Sequence, residues 1–159
     1  MLSFQDVASI LNAYQKDRLT MATIGSHSAL EIARGAKDEG LHNLIVCQKG
    51  RDKTYSKHYL ARPRKGHETT IGCVDEIALL DHFADLVSDD IQKHLRLKNA
   101  LFVPNRSFAV YVPYEAIENK FHVPIFGNRF LLRWEERTEQ KNQYTLLHKA
   151  GVRMPKHFG

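Results

Sequence analysis

The segment MATIGSHSALEIARGAKDEG, Met21–Gly40, decides how the chain reads. Met21 to Ile24 form a short apolar run that stops at Gly25. A histidine then stands between two serines, and Leu30, Ile32, Ala33 and Ala36 recur at helical spacing. Gly40 sits where a glycine closes a helix in the left-handed conformation. Ser26 or Ser28 is expected to cap that helix. A second apolar run, Asn43–Cys47, follows. Strand, short loop, helix, loop, strand is a βαβ unit, and its crossover is nearly always right-handed.

Upstream, Ser3 is placed to cap a first helix on which Phe4, Val7, Ile10, Leu11 and Tyr14 recur. Downstream, Lys49–Gly72 is polar and basic with little periodicity. It reads as a short helix or turn near Tyr55–Tyr59 and then an exposed loop. Glu76–Leu80 is a third strand, followed by a helix capped by Ser88 and carrying Ile91 and Leu95. Ala100–Val103 is a fourth strand, stopped by Pro104. SFAVYVPYEAIEN reads as short helical pieces broken at Pro113. Val123–Phe126 is expected to be a fifth strand, with helices over Asn128–Arg137 and Thr138–Lys149. Apolar strands alternating with helices predict a doubly wound, Rossmann-like α/β fold with a mainly parallel sheet of about five strands. The 159 residues are expected to form one domain.

The net charge of +5 suits a phosphate-bearing partner. The basic residues form no long block and no nucleic-acid-binding signature, so nucleic acid is not expected. No apolar run approaches the length that spans a bilayer. The N-terminal MLSFQDVASILNAYQK lacks the basic start and apolar block of a signal peptide. A cytoplasmic protein without a membrane partner is expected. Cys47 and Cys73 make no CxxC and no disulfide framework, and Cys47 reads as a small core residue. Among nine histidines, including His58, His67, His82 and His94, none has metal-ligand spacing with cysteines or carboxylates, so no metal site is expected. Asp75, Glu76 and Asp81 read as facing water or capping ends. Arg133, Glu135, Glu136 and Arg137 read as a solvated helix face.

Open parallel sheets bind ligands beyond the carboxyl ends of their strands, where the strand order reverses. In the order 3-2-1-4-5 that crevice lies between the first and fourth strands. The loops there are GSHS, Gly25–Ser28, and PNRS, Pro104–Ser107. Gly25 would let the backbone turn tightly and approach a phosphate, with Ser26 beside it. His27 and Arg106 can donate to phosphate, and Asn105 and Ser107 can hold sugar or base. Plainer readings stay open: a surface or capping role for His27, and a turn in which Asn105 and Ser107 serve only the backbone. GSHS is neither a dinucleotide fingerprint nor a Walker A loop. Ser107 has no base near it in sequence, so a nucleophilic triad is not indicated.

IGSHSALEIARGAKDEG, VCQKGRDKTY, FVPNRSFAVYV, VPIFGNRFLLRWEERT and KAGVRMPKHF occur in this order along nearly the whole chain. Together they resemble the N-terminal domain of archaeal formate-dependent FAICAR synthetases, members of the ATP-grasp superfamily. The resemblance implies a pre-ATP-grasp fold and a C–N ligase of purine biosynthesis. Such an enzyme joins formate to the amine of the ribonucleotide AICAR through formyl phosphate, using ATP and Mg²⁺. It also implies that His27 and Ser107 contact the AICAR-like nucleotide. The family motif PHGSF stands here as Pro104-Asn105-Arg106-Ser107-Phe108. A long cation where the family has glycine fits a paralogue with a different phosphorylated substrate. The basic segment Arg62–Gly72 points the same way. The residues that bind ATP and Mg²⁺ would lie beyond Gly159, so this chain alone is not expected to catalyse ligation. A free-standing, non-catalytic nucleotide-binding or regulatory module and an unrelated phosphosugar-binding domain remain as alternatives. A homo-oligomer is left open.

Overall fold

The computed structural model describes residues 2–66, 69–136 and 139–156. His67, Arg137, Thr138, His157 and Phe158, which the sequence reading used, lie outside the described residues. The chain forms two compact units, Met1–Gly127 and Asn128–Gly159.

The first unit is built on a four-stranded parallel sheet. Its strands are β1 (Thr20–Ile24), β2 (His42–Gln48), β5 (Glu76–Leu80) and β6 (Ala100–Phe102), in the order β5-β2-β1-β6. Between β2 and β5, a two-residue antiparallel pair, β3 (Arg62–Pro63) with β4 (Thr70–Ile71), stands in what reads as open loop. The anticipated reversal of strand order between the first and fourth strands is present. The fifth strand is not: Val123–Phe126 makes only an isolated parallel bridge, Phe102 to Ile125. Pro124 explains part of this. It has no N–H to give to a ladder, although its carbonyl accepts from Phe102 N at 2.8 Å. Gly127, with φ +101°, then turns the chain away.

Helix α1 (Phe4–Asn12) begins at a reciprocal capping box of Ser3 and Asp6. Helix α2 (Ala29–Asp38) packs Ala29 and Ala33 on Ile45 and Cys47. Small alanines let the helix approach the strands closely, and all four side chains are fully buried. Helix α3 (Asp89–Leu97) starts after Ser88, whose side chain makes no capping bond. Helices α4 (Arg106–Tyr111) and α5 (Tyr114–Asn119) are the two pieces divided at Pro113. The rings of Phe102, Phe108 and Phe121 lie 4.7–5.2 Å apart and pin the first turn of α4 to β6.

Of the acidic residues around β5, Asp81 is exposed as expected, whereas Asp75 and Glu76 are partly buried and paired. Asn43, wholly buried, donates through Nδ2 to the carbonyls of Ala33 and Cys73 and to Asp75, and its Oδ1 accepts from Asp75 N. Asp75 also pairs with Lys37. A buried amide must find partners for both its ends, and the carboxylate next to it supplies one while closing the β2–β5 edge. Glu76 accepts from Lys98 at 2.9 Å. Burial works against its ionisation, but Lys98 and His42 outweigh that and hold the carboxyl below the usual range.

In the second unit, helix α6 is confined to Leu131–Trp134 and α7 to Gln143–Lys149. Both are shorter than expected from the apolar spacing. Asn142 sets the start of α7 by accepting from Tyr144 N. Among the described residues, no helix is long and apolar enough to cross a membrane.

Replacing Asn43 by alanine leaves several buried groups without partners, and is expected to destabilise the chain by roughly 2–4 kcal/mol. Urea unfolding of the variant against the parent measures this; a loss below about 0.5 kcal/mol would contradict the role assigned to Asn43.

Candidate functional site

Two loops leave the carboxyl ends of neighbouring strands β1 and β6, and side-chain hydrogen bonds hold them together. Thr23 Oγ1 donates to the Val103 carbonyl at 2.8 Å. Asn105 Nδ2 donates to the Ile24 carbonyl at 2.9 Å and reaches Thr23 Oγ1 at 3.3 Å. Ser107 Oγ donates to Ser26 Oγ at 2.7 Å. The bond joins GSHS directly to PNRS. Asn105 also accepts from Ser107 N, capping α4.

This geometry sorts the anticipated site residues. Ser26 and Ser107 meet, Ser107 buried and Ser26 half-buried. His27 and Arg106 are exposed on the two loops. Asn105 uses both ends of its amide on the scaffold, as a clasp between the loops. The turn reading of PNRS describes Asn105 well; the Ser107 hydroxyl, turned to Ser26, goes beyond it.

The missing side chain of Gly25 faces the protein, where a Cβ would stand 2.8 Å from Cys47 Sγ, 3.0 Å from Tyr55 Cε2 and 3.1 Å from Ile45 Cγ2. The glycine is demanded by packing beneath the loop. Neither serine side chain caps α2, contrary to the sequence expectation. Ser28 occupies the N-cap position with φ +61°, a left-handed conformation that costs an L-residue on the order of 1–2 kcal/mol. Local backbone strain of this kind gathers at ligand-holding turns.

A third segment, after β2, also reaches this region, although the sequence reading placed none of the site residues on it. Tyr55 lies in a π-type turn, Thr54–His58, and its hydroxyl donates to the Ser26 carbonyl at 3.2 Å. Arg51 donates to Tyr111 Oη, at the far end of α4, at 2.9 Å. The signal was available: any loop leaving a carboxyl end beside β1 opens on the same mouth. Burial raises the Tyr55 hydroxyl above its usual range and pushes the Cys47 thiol up to about 12. Cys47 is thus a packing residue, not a nucleophile. Among the described residues, no group of three or more His, Cys, Asp or Glu side chains could hold a metal ion. No step through a metal is assigned to these residues.

The fold is that of an open, parallel α/β domain whose strand order reverses where these loops meet. The chain belongs to the family described as protein of unknown function (DUF1246), whose model matches residues 21–158. It is 42% identical over 158 residues to the 5-formaminoimidazole-4-carboxamide-1-(beta)-D-ribofuranosyl 5′-monophosphate synthetase of Methanopyrus kandleri. It is 38% identical over 158 residues to the synthetase of the same name from Methanocaldococcus jannaschii. Each alignment takes in 99% of this chain and 40% of the relative. The chain thus spans two fifths of the length of these relatives. Among solved structures it is similar to an IMP biosynthesis protein PurP from Thermococcus kodakaraensis, with a TM-score of 0.61 and 31% identity. That likeness covers 83% of this chain and 36% of the other.

Gly25→Ala is expected to cost about 1–3 kcal/mol through overpacking, and Cys47→Ala in the same chain to recover part of it. Thermal or urea unfolding of the single and double variants checks this; simple additivity would contradict the contact. The pH dependence follows from the thiol. Its folded value of about 12 stands above its ordinary 9.0. The unfolded chain therefore loses this proton first, and stability is full below pH 9 and falls as pH rises toward 12. Comparing Cys47→Ala with the parent across that window should show a shallower fall in the variant.

Proposed function

We propose that this chain is the nucleotide-binding part of an ATP-dependent C–N ligase of purine biosynthesis. In this reading its substrate is an AICAR-like ribonucleotide, to whose amine formate is joined. The observation that carries it is the Ser107–Ser26 contact, which unites at one mouth the two loops bearing His27 and Arg106. The names of the relatives supply the substrate class. The electrostatics agree, since exposed cationic and imidazole donors beside two hydroxyls suit a phosphorylated sugar.

Each residue then has a task. Ser26 and Ser107 offer a paired hydroxyl donor and acceptor to the nucleotide. His27 donates to it from the strained turn. Asn105, Thr23 and Tyr55 hold these donors in place beforehand, which lowers the ordering cost of binding. ATP and Mg²⁺ enter the proposal through residues outside this chain, where they would activate formate as an acyl phosphate. Arg106, at the family's glycine position, adjusts which nucleotide is accepted.

Isothermal titration of the chain with AICAR 5′-monophosphate tests the reading. His27→Ala should weaken binding by roughly 1.5–3 kcal/mol, the worth of a charge-assisted hydrogen bond. Unchanged affinity would remove His27 from the site. Arg106→Gly should change the preference between AICAR and other purine-precursor nucleotides; an unaltered ranking would remove Arg106 from selectivity.

A further inference from the structure

The cation that holds the substrate phosphate is not settled by the two loops alone. Arg106 is exposed, and among the described residues no hydrogen bond or ion pair fixes the direction of its side chain. Arg51 is different. Its guanidinium carbon lies 5.5 Å from the centroid of the Phe83 ring and 5.6 Å from that of Tyr111. The two rings are themselves 4.8 Å apart, so the cation rests against both. Nη1 donates to Tyr111 Oη at 2.9 Å. Phe83 is buried, yet Arg51 remains exposed. One hydrogen bond leaves most of the five guanidinium N–H donors for another acceptor.

The placement joins this cation to the mouth from both sides. Four residues after Arg51 along the chain, Tyr55 touches Ser26 of the β1 loop. Four residues before Tyr111 along α4, Ser107 touches the same serine. Four helical residues rise about 6 Å, less than the reach of a nucleoside monophosphate. The charge distribution agrees. Between Lys49 and Gly72 stand seven Lys and Arg against two Asp and Glu. The other residues carry sixteen of each, so the whole net charge of +5 belongs to the segment that leaves the carboxyl end of β2. Lys49 in that segment is paired with Asp81 at 2.6 Å. No ion pair among the described residues involves Arg51.

We propose that Arg51, held in place by Phe83 and Tyr111, binds the 5′-phosphate of the nucleotide whose other end lies at His27, Ser26 and Ser107. This rests on the nucleotide reading above and names the group within it that discriminates the phosphorylated ligand from its nucleoside. A guanidinium already ordered by two rings loses little freedom on meeting the phosphate, and its fork matches two phosphate oxygens.

The test is titration of the parent, Arg51→Met and Arg51→Lys with AICAR 5′-monophosphate and with the corresponding riboside. Met keeps apolar bulk against the rings and removes the charge. Circular dichroism confirms folding, and Arg51→Lys supplies the comparison should the methionine variant fold poorly. Arg51→Met should bind the monophosphate at least about tenfold more weakly than the parent, with riboside affinity little changed. Arg51→Lys, keeping a point charge without the fork, should fall between. Ribose 5-phosphate should compete for the parent and poorly for Arg51→Met. Equal monophosphate affinity in parent and methionine variant would overturn the role of Arg51 and leave the nucleotide reading standing. Parallel loss of both ligands would show Arg51 to be scaffold and also overturn it. A parent that binds neither compound would overturn the nucleotide reading and this assignment together.

Discussion

Everything at the carboxyl end of the sheet depends on the Asn105 side chain. Its Nδ2 crosses from the loop after β6 to the last carbonyl of β1, and its Oδ1 caps the helix that presents Ser107. A parallel sheet pairs strands along their length but leaves their ends free to diverge. One amide, half-buried and satisfied at both poles, removes that freedom. Thr23 adds a second tie one residue earlier. The two serine hydroxyls are then brought to hydrogen-bond distance by the scaffold, and a ligand need not pay to assemble them.

Beneath that clasp lies a constraint of volume. Gly25, Cys47, Tyr55 and Ile45 fill one space, with no room for another methyl group. The same tyrosine turns its hydroxyl up to the Ser26 carbonyl. Core packing and loop position are thus one feature here, not two. The strained Ser28 is tolerated because the turn is fixed on both sides, by Tyr55 below and by α2 beyond.

Much of this was legible in the residues. The apolar runs marked the four strands, and the doubly wound order 3-2-1-4-5 expected for them brings the two loaded loops together. What failed, failed for physical reasons. Val123–Phe126 has strand composition, but a proline in its middle and a glycine at its end reduce it to one bridge. The packing demand at Gly25 was not legible, because periodicity cannot tell which side of the backbone is crowded. Nor was the clasp made by Asn105, whose partner 81 residues away is invisible in spacing. Arg51 was hidden in a basic stretch that reads as solvated surface; only the coordinates place Phe83 and Tyr111 against it. The 42% identity to the Methanopyrus kandleri synthetase agrees with the resemblance carried by the motifs.

A crystal structure of this chain with AICAR 5′-monophosphate tests the central claim most directly. The account requires the nucleotide to lie across the β1 and β6 loops, within hydrogen-bond distance of His27 and of the Ser26–Ser107 pair. A nucleotide bound elsewhere on the chain, or an empty mouth at saturating concentration, would contradict it.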